Sequence, residues 1–248
     1  VKDRAIGLAL ACTMAVSACG YGAQTEEASE REAPATAAAP EAHLIGHANV
    51  DQISAYSKPE DDAAPIATFE RMNDQGAPQV FLLQPKRRGP DGLLPPKTRW
   101  VKALLPIRPN GTTGFLRVRD LQIVSTRYRL EVNRDEFRLT LYEGDRVLTS
   151  APVGIGTGDT PTPVGRFYLA SLLKPPDPNT IYGAYAYGLS GYSETLLDWE
   201  AGGIVGLHGT DQPDSIGRAA SHGCIRMRNA DIEKLVPLLP LGTPIDIT

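Results

Sequence analysis

A chain of 248 residues is long enough for two modest domains and too short for three, and its apolar content of 42% is that of an ordinary globular protein. With 24 Gly, 21 Pro and few long apolar periodic runs, the composition argues against a helical bundle and for a mainly β fold of short strands and turns. The net charge of −4 sits almost wholly in one short segment. Residues 24–42 hold five Glu against Arg31, whereas the remainder from His43 onward has 22 Lys and Arg against 23 Asp and Glu, a near-neutral body without an electrostatic footprint for nucleic acid.

Residues 1–18 read as an export segment rather than as fold. Lys2 and Arg4 give a short positive start, and Ala5 to Ala18 form a small-residue apolar stretch too short to span a bilayer as a stable helix. Its end, Val16-Ser17-Ala18-Cys19, resembles the lipobox of bacterial lipoproteins, which implies that Cys19 becomes the lipidated first residue and anchors the protein to a membrane facing the cell envelope. The alternative is an ordinary cleavage site or an uncleaved anchor with Cys19 incidental. Export removes Cys12 and lipidation consumes Cys19, leaving Cys224 unpaired where structural cysteines normally pair. A small buried hydrophobe is one reading of Cys224, and its neighbours must decide. Residues 24–42, rich in Glu, Ala and Pro and without large apolar side chains, are expected to be a disordered tether, so that 19–42 form a lipidated N-terminus and linker.

Residues 43–126 read as a small β domain. Apolar runs at Ile53–Tyr56, Ile66–Phe69, Val80–Leu83, Trp100–Leu105 and Phe115–Val118 are separated by Pro- and Gly-bearing turns such as Arg108-Pro109-Asn110-Gly111, a spacing that suits a small barrel. Trp100-Val101-Lys102, that turn and Gly114-Phe115-Leu116 resemble SH3-like modules of bacterial wall enzymes. The 11 Lys and Arg against 8 Asp and Glu suit either a surface near anionic wall polymers or plain solvation.

Residues 127–248 form the second domain. Tyr128, Leu130 and Val132, then Phe137, Leu139 and Leu141, alternate with polar residues, and Asn133-Arg134-Asp135 and Glu143-Gly144-Asp145 supply the turns of a β meander. Residues 171–203, with three Pro, five Gly and four Tyr, read as an irregular lid candidate. Asn229 is placed to cap a helix over Ala230 to Leu239, and a strand from Thr243 to Ile247 ends the chain.

The chemistry concentrates in His208-Gly209-Thr210 and, ten residues on, Ser221-His222-Gly223-Cys224-Ile225-Arg226-Met227. A thiol becomes a good nucleophile on losing its proton, and an imidazole can take that proton and later return it to a leaving amine. Gly223 beside Cys224 lets main-chain N–H groups face a developing oxyanion. A zinc site from His208, His222 and Cys224 is the competing reading, but the spacing lacks the usual paired-ligand motifs. Gly154 to Gly158 follow a strand and precede no helix, so a nucleotide-binding glycine loop fails on context.

These segments resemble the catalytic region of L,D-transpeptidases of the YkuD type, whose pattern joins an upstream His to a Ser/Thr-His-Gly-Cys block. The likeness extends to Thr160-Pro161-Thr162-Pro163-Val164-Gly165; Arg226 stands where many members have Asn. The resemblance implies a β-sandwich catalytic domain with Cys224 as nucleophile, His208 as general base and the Gly209 carbonyl orienting its ring. It further implies Gly223 and Cys224 amides as the oxyanion hole, and Ser221 holding the turn. His222 and Thr210 would shape the substrate pocket. Arg226 is expected either to bind a substrate carboxylate through its fork of donors or to form a structural salt bridge. The reaction implied is acyl transfer between peptidoglycan stem peptides, with no cofactor and no metal. Hydrolysis by the same acyl-enzyme, attachment of another protein to the wall, and an inactive wall-binding lipoprotein are the alternatives.

Overall fold

A computed structural model describes residues 42–89, 91–197 and 200–248. The expected export segment, Cys19 and the tether up to residue 41 lie outside the described residues.

Seven strands from the first part of the chain make one sheet: β1 (His43–Ala48), β2 (Gln52–Tyr56), β3 (Pro65–Glu70), β4 (Val80–Leu83), β5 (Trp100–Leu104), β6 (Thr113–Arg117) and β7 (Leu121–Thr126). Their order is β3-β2-β6-β5-β4-β1-β7. Alternation puts Ile53 and Ala55, Val101 and Ala103, and Leu116 into one core with Leu44, Phe81 and Leu83. Strands β1 and β4 are apolar without alternation because both their faces are covered. Their other face, Ile45, Val80 and Leu82, packs with Leu104 around Tyr168 of the second sheet. Tyr168 is fully buried, and its hydroxyl donates to the Val80 carbonyl at 3.0 Å.

The rest of the chain supplies β8 (Tyr128–Asn133), β9 (Arg138–Glu143), β10 (Arg146–Pro152), β11 (Ile155–Gly156), β12 (Gly165–Leu173), β13 (Ala186–Tyr192), β14 (Ile204–His208), β15 (Ala219–Ser221), β16 (Ile225–Arg226), α1 (Asn229–Leu235) and β17 (Pro244–Ile247). Eight of these strands form a sheet ordered β10-β9-β8-β17-β12-β13-β14-β16, while β11 pairs with β15. The meander is present in the expected register: Leu130 faces Leu141 and Val132 faces Leu139 across β8 and β9, and all four are buried. Gly144 turns the next hairpin at a φ of 59°, a conformation glycine adopts without cost. Strand β17 enters the middle of the sheet, parallel to β8 and antiparallel to β12. The last residues of the chain thereby complete the sheet that carries the site.

Two expectations are corrected. The helix ends at Leu235 rather than Leu239, because Pro237 cannot donate the N–H that would continue it. Asn229 is not its cap: Arg228 occupies that position, and the Asn229 carboxamide is engaged elsewhere. Residues 171–203 are not one irregular lid, since β12 runs to Leu173 and β13 fills Ala186–Tyr192. Tyr187, from the expected lid, is buried in the core, and Tyr192 is tied to the first sheet by its hydroxyl on the Pro106 carbonyl at 2.8 Å. Asn110 meets Tyr192 as a strand would, accepting its N–H at 2.9 Å and donating to its carbonyl at 2.8 Å.

Candidate active site

The site is built by the parallel pairing of β14 with the short β16, in which Leu207 lies opposite Ile225 and His208 opposite Arg226. Because side chains alternate, Val205, Leu207 and Ile225 enter the core. Gly206 and His208 therefore share the opposite face with Cys224 and Arg226. The register is locked on either side of this pair: the Met227 N–H donates to the His208 carbonyl at 2.8 Å, and Gly154 and Arg226 exchange two backbone hydrogen bonds of 2.8 Å.

Cys224 is a free thiol whose Sγ accepts the Gly206 N–H at 3.3 Å. His208 is only 4% exposed, and its Nδ1 lies 2.5 Å from the Gly209 carbonyl oxygen. A carbonyl can only accept, so Nδ1 carries the proton and Nε2 is left with its lone pair. Burial lowers the His208 pKa to about 4, outweighing the hydrogen bonds to the Gly209 and Ile181 backbone that favour its charged form. Burial likewise pushes the Cys224 thiol up, against the smaller opposing effects of the Gly206 N–H and the Arg226 charge. Both shifts favour the neutral forms, thiol and imidazole, over thiolate and imidazolium. Tyr182 stacks edge-on against the His208 ring with centroids 5.3 Å apart.

The turn before Cys224 is held by Ser221, whose hydroxyl donates to the Cys224 carbonyl at 2.5 Å and accepts the Gly223 N–H at 3.2 Å. Gly223 sits at a φ of 114°, which excludes other residues without strain. The upstream Thr-Pro-Thr-Pro stretch braces this turn from behind. The Thr162 hydroxyl, buried, donates to the Gly223 carbonyl at 2.8 Å and accepts the Gly156 N–H at 2.9 Å, and the Thr157 N–H donates to the Ser221 carbonyl at 3.0 Å.

Of the remaining expected site residues, His222 is exposed at the rim of the cavity that holds Cys224. Thr210 is buried and turned into its own loop, where its hydroxyl accepts the Gln212 N–H at 3.0 Å. Arg226 donates from Nη1 to Gln212 Oε1 at 3.0 Å, while its Nε is buried with no hydrogen-bond partner among the described residues. That partner is a carboxamide and not the carboxylate of a salt bridge. His208, His222 and Cys224 do not converge as a ligand set, and no group of three metal-ligating side chains occurs among the described residues.

Asn229 is the supporting residue that sequence reasoning assigned to the wrong task. Its Oδ1 accepts the N–H groups of Ala184 at 3.0 Å and Thr210 at 3.1 Å, fixing the loop that follows His208. A Cβ at Gly209 would fall 2.1 Å from that oxygen, so the glycine leaves room for it. No local pattern marks this role, because Asn229 reaches partners 45 and 19 residues away.

Residues 127–247 match the YkuD family, the L,D-transpeptidase catalytic domain. The YkuD protein of Bacillus licheniformis is 38% identical over 121 residues, 49% of this chain and 66% of that protein. The YkuD protein of Bacillus subtilis is 36% identical over 120 residues, 48% of this chain and 65% of that protein. The chain therefore spans just under two thirds of these relatives. A solved structure, Bd1075 of Bdellovibrio bacteriovorus, is 32% identical, covers 50% of this chain and 47% of its own, and superposes with a TM-score of 0.40. Over residues 127–247, then, the chain is similar to the L,D-transpeptidase catalytic domain of the YkuD family.

Proposed function

We propose that the protein is a peptidoglycan L,D-transpeptidase in which Cys224 forms an acyl-enzyme with a stem peptide. The observation that carries this reading is the His208 tautomer: the Gly209 carbonyl fixes the proton on Nδ1 and leaves Nε2 as the acceptor on the face shared with Cys224. The thiol proton passes to His208 Nε2 as Sγ attacks the carbonyl of the L-centred third stem residue. The carbon–nitrogen bond then breaks, and His208 returns the proton to the departing amine of the terminal D-alanine. A second stem's amine attacks the thioester, loses its proton to His208 and regenerates the thiol. Atoms and charge balance without any cofactor.

The Cys224 N–H serves the oxyanion together with that of Gly223, which must slacken its 3.2 Å bond to Ser221 to do so. Arg226, which lines the smaller cavity beside Cys224 and His208, holds a substrate carboxylate through the terminal N–H groups of its guanidinium. His222, exposed at the rim, contacts substrate rather than taking the first proton. The Val16-Ser17-Ala18-Cys19 block supports placing the enzyme at the envelope as a lipoprotein anchored through Cys19, a reading contradicted by an N-terminal peptide that begins elsewhere or lacks acyl mass.

Intact-mass measurement of the purified protein incubated with tetrapeptide stems tests the reading. An adduct on Cys224 with release of the terminal D-amino acid supports it, and the ratio of cross-linked to hydrolysed product separates transfer from carboxypeptidase action. Absence of both adduct and release contradicts it.

A further inference from the structure

The connection between β3 and β4 in the first sheet reaches the catalytic groove of the second. Its ends are closed by a bridge between Met72 and Pro78. Within it, Asn73 Oδ1 accepts the N–H groups of Gln75 at 3.1 Å and Ala77 at 3.0 Å, and Gly76 adopts a φ of 73° to make the turn. The same Asn73 side chain donates from Nδ2 to the Ala170 carbonyl on β12 at 3.1 Å. The loop is therefore folded by, and docked through, one residue.

Docking places Gln75 over Gly188, where its Oε1 accepts the Ser171 hydroxyl. A Cβ at Gly188 would lie 2.5 Å from both Gln75 Oε1 and Ser171 Oγ, so the glycine makes room for this contact. With Oε1 occupied, the two N–H donors of the carboxamide are what Gln75 offers a ligand. It lines a cavity of about 300 Å³ that runs past Ser171, Leu172 and Tyr182 to Cys224 and His208. Among the described residues no Asp, Glu, Lys or Arg lines that cavity, and Leu172 and Leu173 at its mouth are exposed at 39% and 56%. A smaller cavity of about 80 Å³ also contains Cys224 and His208, and it carries Arg226. The two spaces thus differ in charge: one suits a carboxylate, the other an uncharged stretch of chain.

We infer that Gln75, although it belongs to the first domain, is a specificity-determining residue of the acyl-transfer site, its carboxamide N–H groups bonding a main-chain carbonyl in the uncharged part of a bound peptide. This rests on the reading of the site as a stem-peptide transpeptidase. Asn73 and Ser171 act through Gln75 as positioning residues, the first by folding and docking the loop, the second by turning the carboxamide. The first domain then contributes to peptide recognition and is not only a spacer.

The test compares full-length wild type with Gln75→Ala and Gln75→Glu in three measurements: steady-state kinetics on a tetrapeptide, alkylation of Cys224 by iodoacetamide, and the thermal midpoint. Both variants are expected to raise KM about tenfold with kcat within about twofold, since Glu keeps the shape of Gln but has no N–H to donate. Iodoacetamide carries no peptide main chain for Gln75 to bind, so its rate should stay at the wild-type value in both variants, and the thermal midpoint should stay there in Gln75→Glu, which keeps an acceptor for Ser171. A wild-type KM in Gln75→Glu, or a change below twofold in Gln75→Ala, would overturn the inference. So would a KM rise accompanied by equal changes in alkylation and midpoint, which marks a packing role. Failure of the wild type itself to be acylated brings down the transpeptidase reading and this one with it. Unaltered variants beside an acylated wild type bring down this one alone.

Discussion

Gly206 donates its N–H to Cys224 Sγ at 3.3 Å, a contact that follows from the parallel register of Leu207 with Ile225. One amide stands where several waters would solvate an exposed thiolate. That is why burial still wins and the thiol is held above its ordinary range. In the proposed reaction the thiol proton is therefore transferred at the moment of attack.

Gly206 also sets how closely imidazole and thiol are packed. A Cβ there would lie 3.3 Å from both His208 Cδ2 and the Tyr187 carbonyl oxygen and 3.6 Å from Cys224 Sγ, so Gly206→Ala must shift the ring or the neighbouring strand by a few tenths of an ångström. Its backbone is ordinary strand, and the fold should tolerate the change. We expect turnover of tetrapeptide to fall about tenfold or more with little change in thermal midpoint. Wild-type turnover in this variant would contradict the packing argument.

Asn229 should matter through stability as well as catalysis. Asn229→Ala removes the acceptor for two part-buried N–H groups, at a cost of about 2–4 kcal/mol in denaturant unfolding. Asn229→Asp keeps an acceptor oxygen and should retain most of the wild-type value. Equal losses in the two variants would show that the donated Nδ2 contact to Pro178, and not the accepted pair, is what counts.

Burial of His208 gives the fold an acid-sensitive step. Its folded pKa of about 4 lies below the ordinary 6.5, so the unfolded chain binds a proton that the folded chain refuses. The stability linked to this group is complete above pH 6.5 and declines as pH falls through the interval down to about 4, by an amount on the order of 3 kcal/mol. Unfolding curves of wild type and His208→Gln across that interval isolate the effect from the carboxylates. The variant should lose stability less steeply, and identical slopes would contradict a buried neutral His208.

Much of this was legible in the sequence where structure is local. The alternation Leu130, Val132 against Leu139, Leu141 and the turn at Gly144 gave the meander, and the His208 and His-Gly-Cys segments marked the two strands, β14 and β16, that pair beside Cys224. Strands β1 and β7 escaped notice: β1 is covered on both faces and lacks alternation, and β7 follows a single helical turn at Val118–Asp120. The tasks of Asn229, Thr162 and Gln75 were invisible because each depends on partners 19 to 96 residues away that only the folded sheets bring together. The state of the Cys224 proton is likewise not written in the His-Gly-Cys block. Burial, which no short motif encodes, reverses the direction of the Cys224 shift.

The assignment of Cys224 as nucleophile and His208 as base is tested most directly by the pH dependence of acylation and alkylation. Wild type, His208→Ala and His222→Ala would be compared with a tetrapeptide and with iodoacetamide. His208→Ala should slow acylation by about 10²–10⁴-fold near neutrality and recover part of the loss at high pH, as the thiol ionises without help. His222→Ala should acylate within about tenfold of wild type, with the deficit in KM and no rescue by pH. If His208→Ala keeps the wild-type acylation rate while His222→Ala loses it, the roles drawn here from burial and from the Gly209 hydrogen bond are reversed.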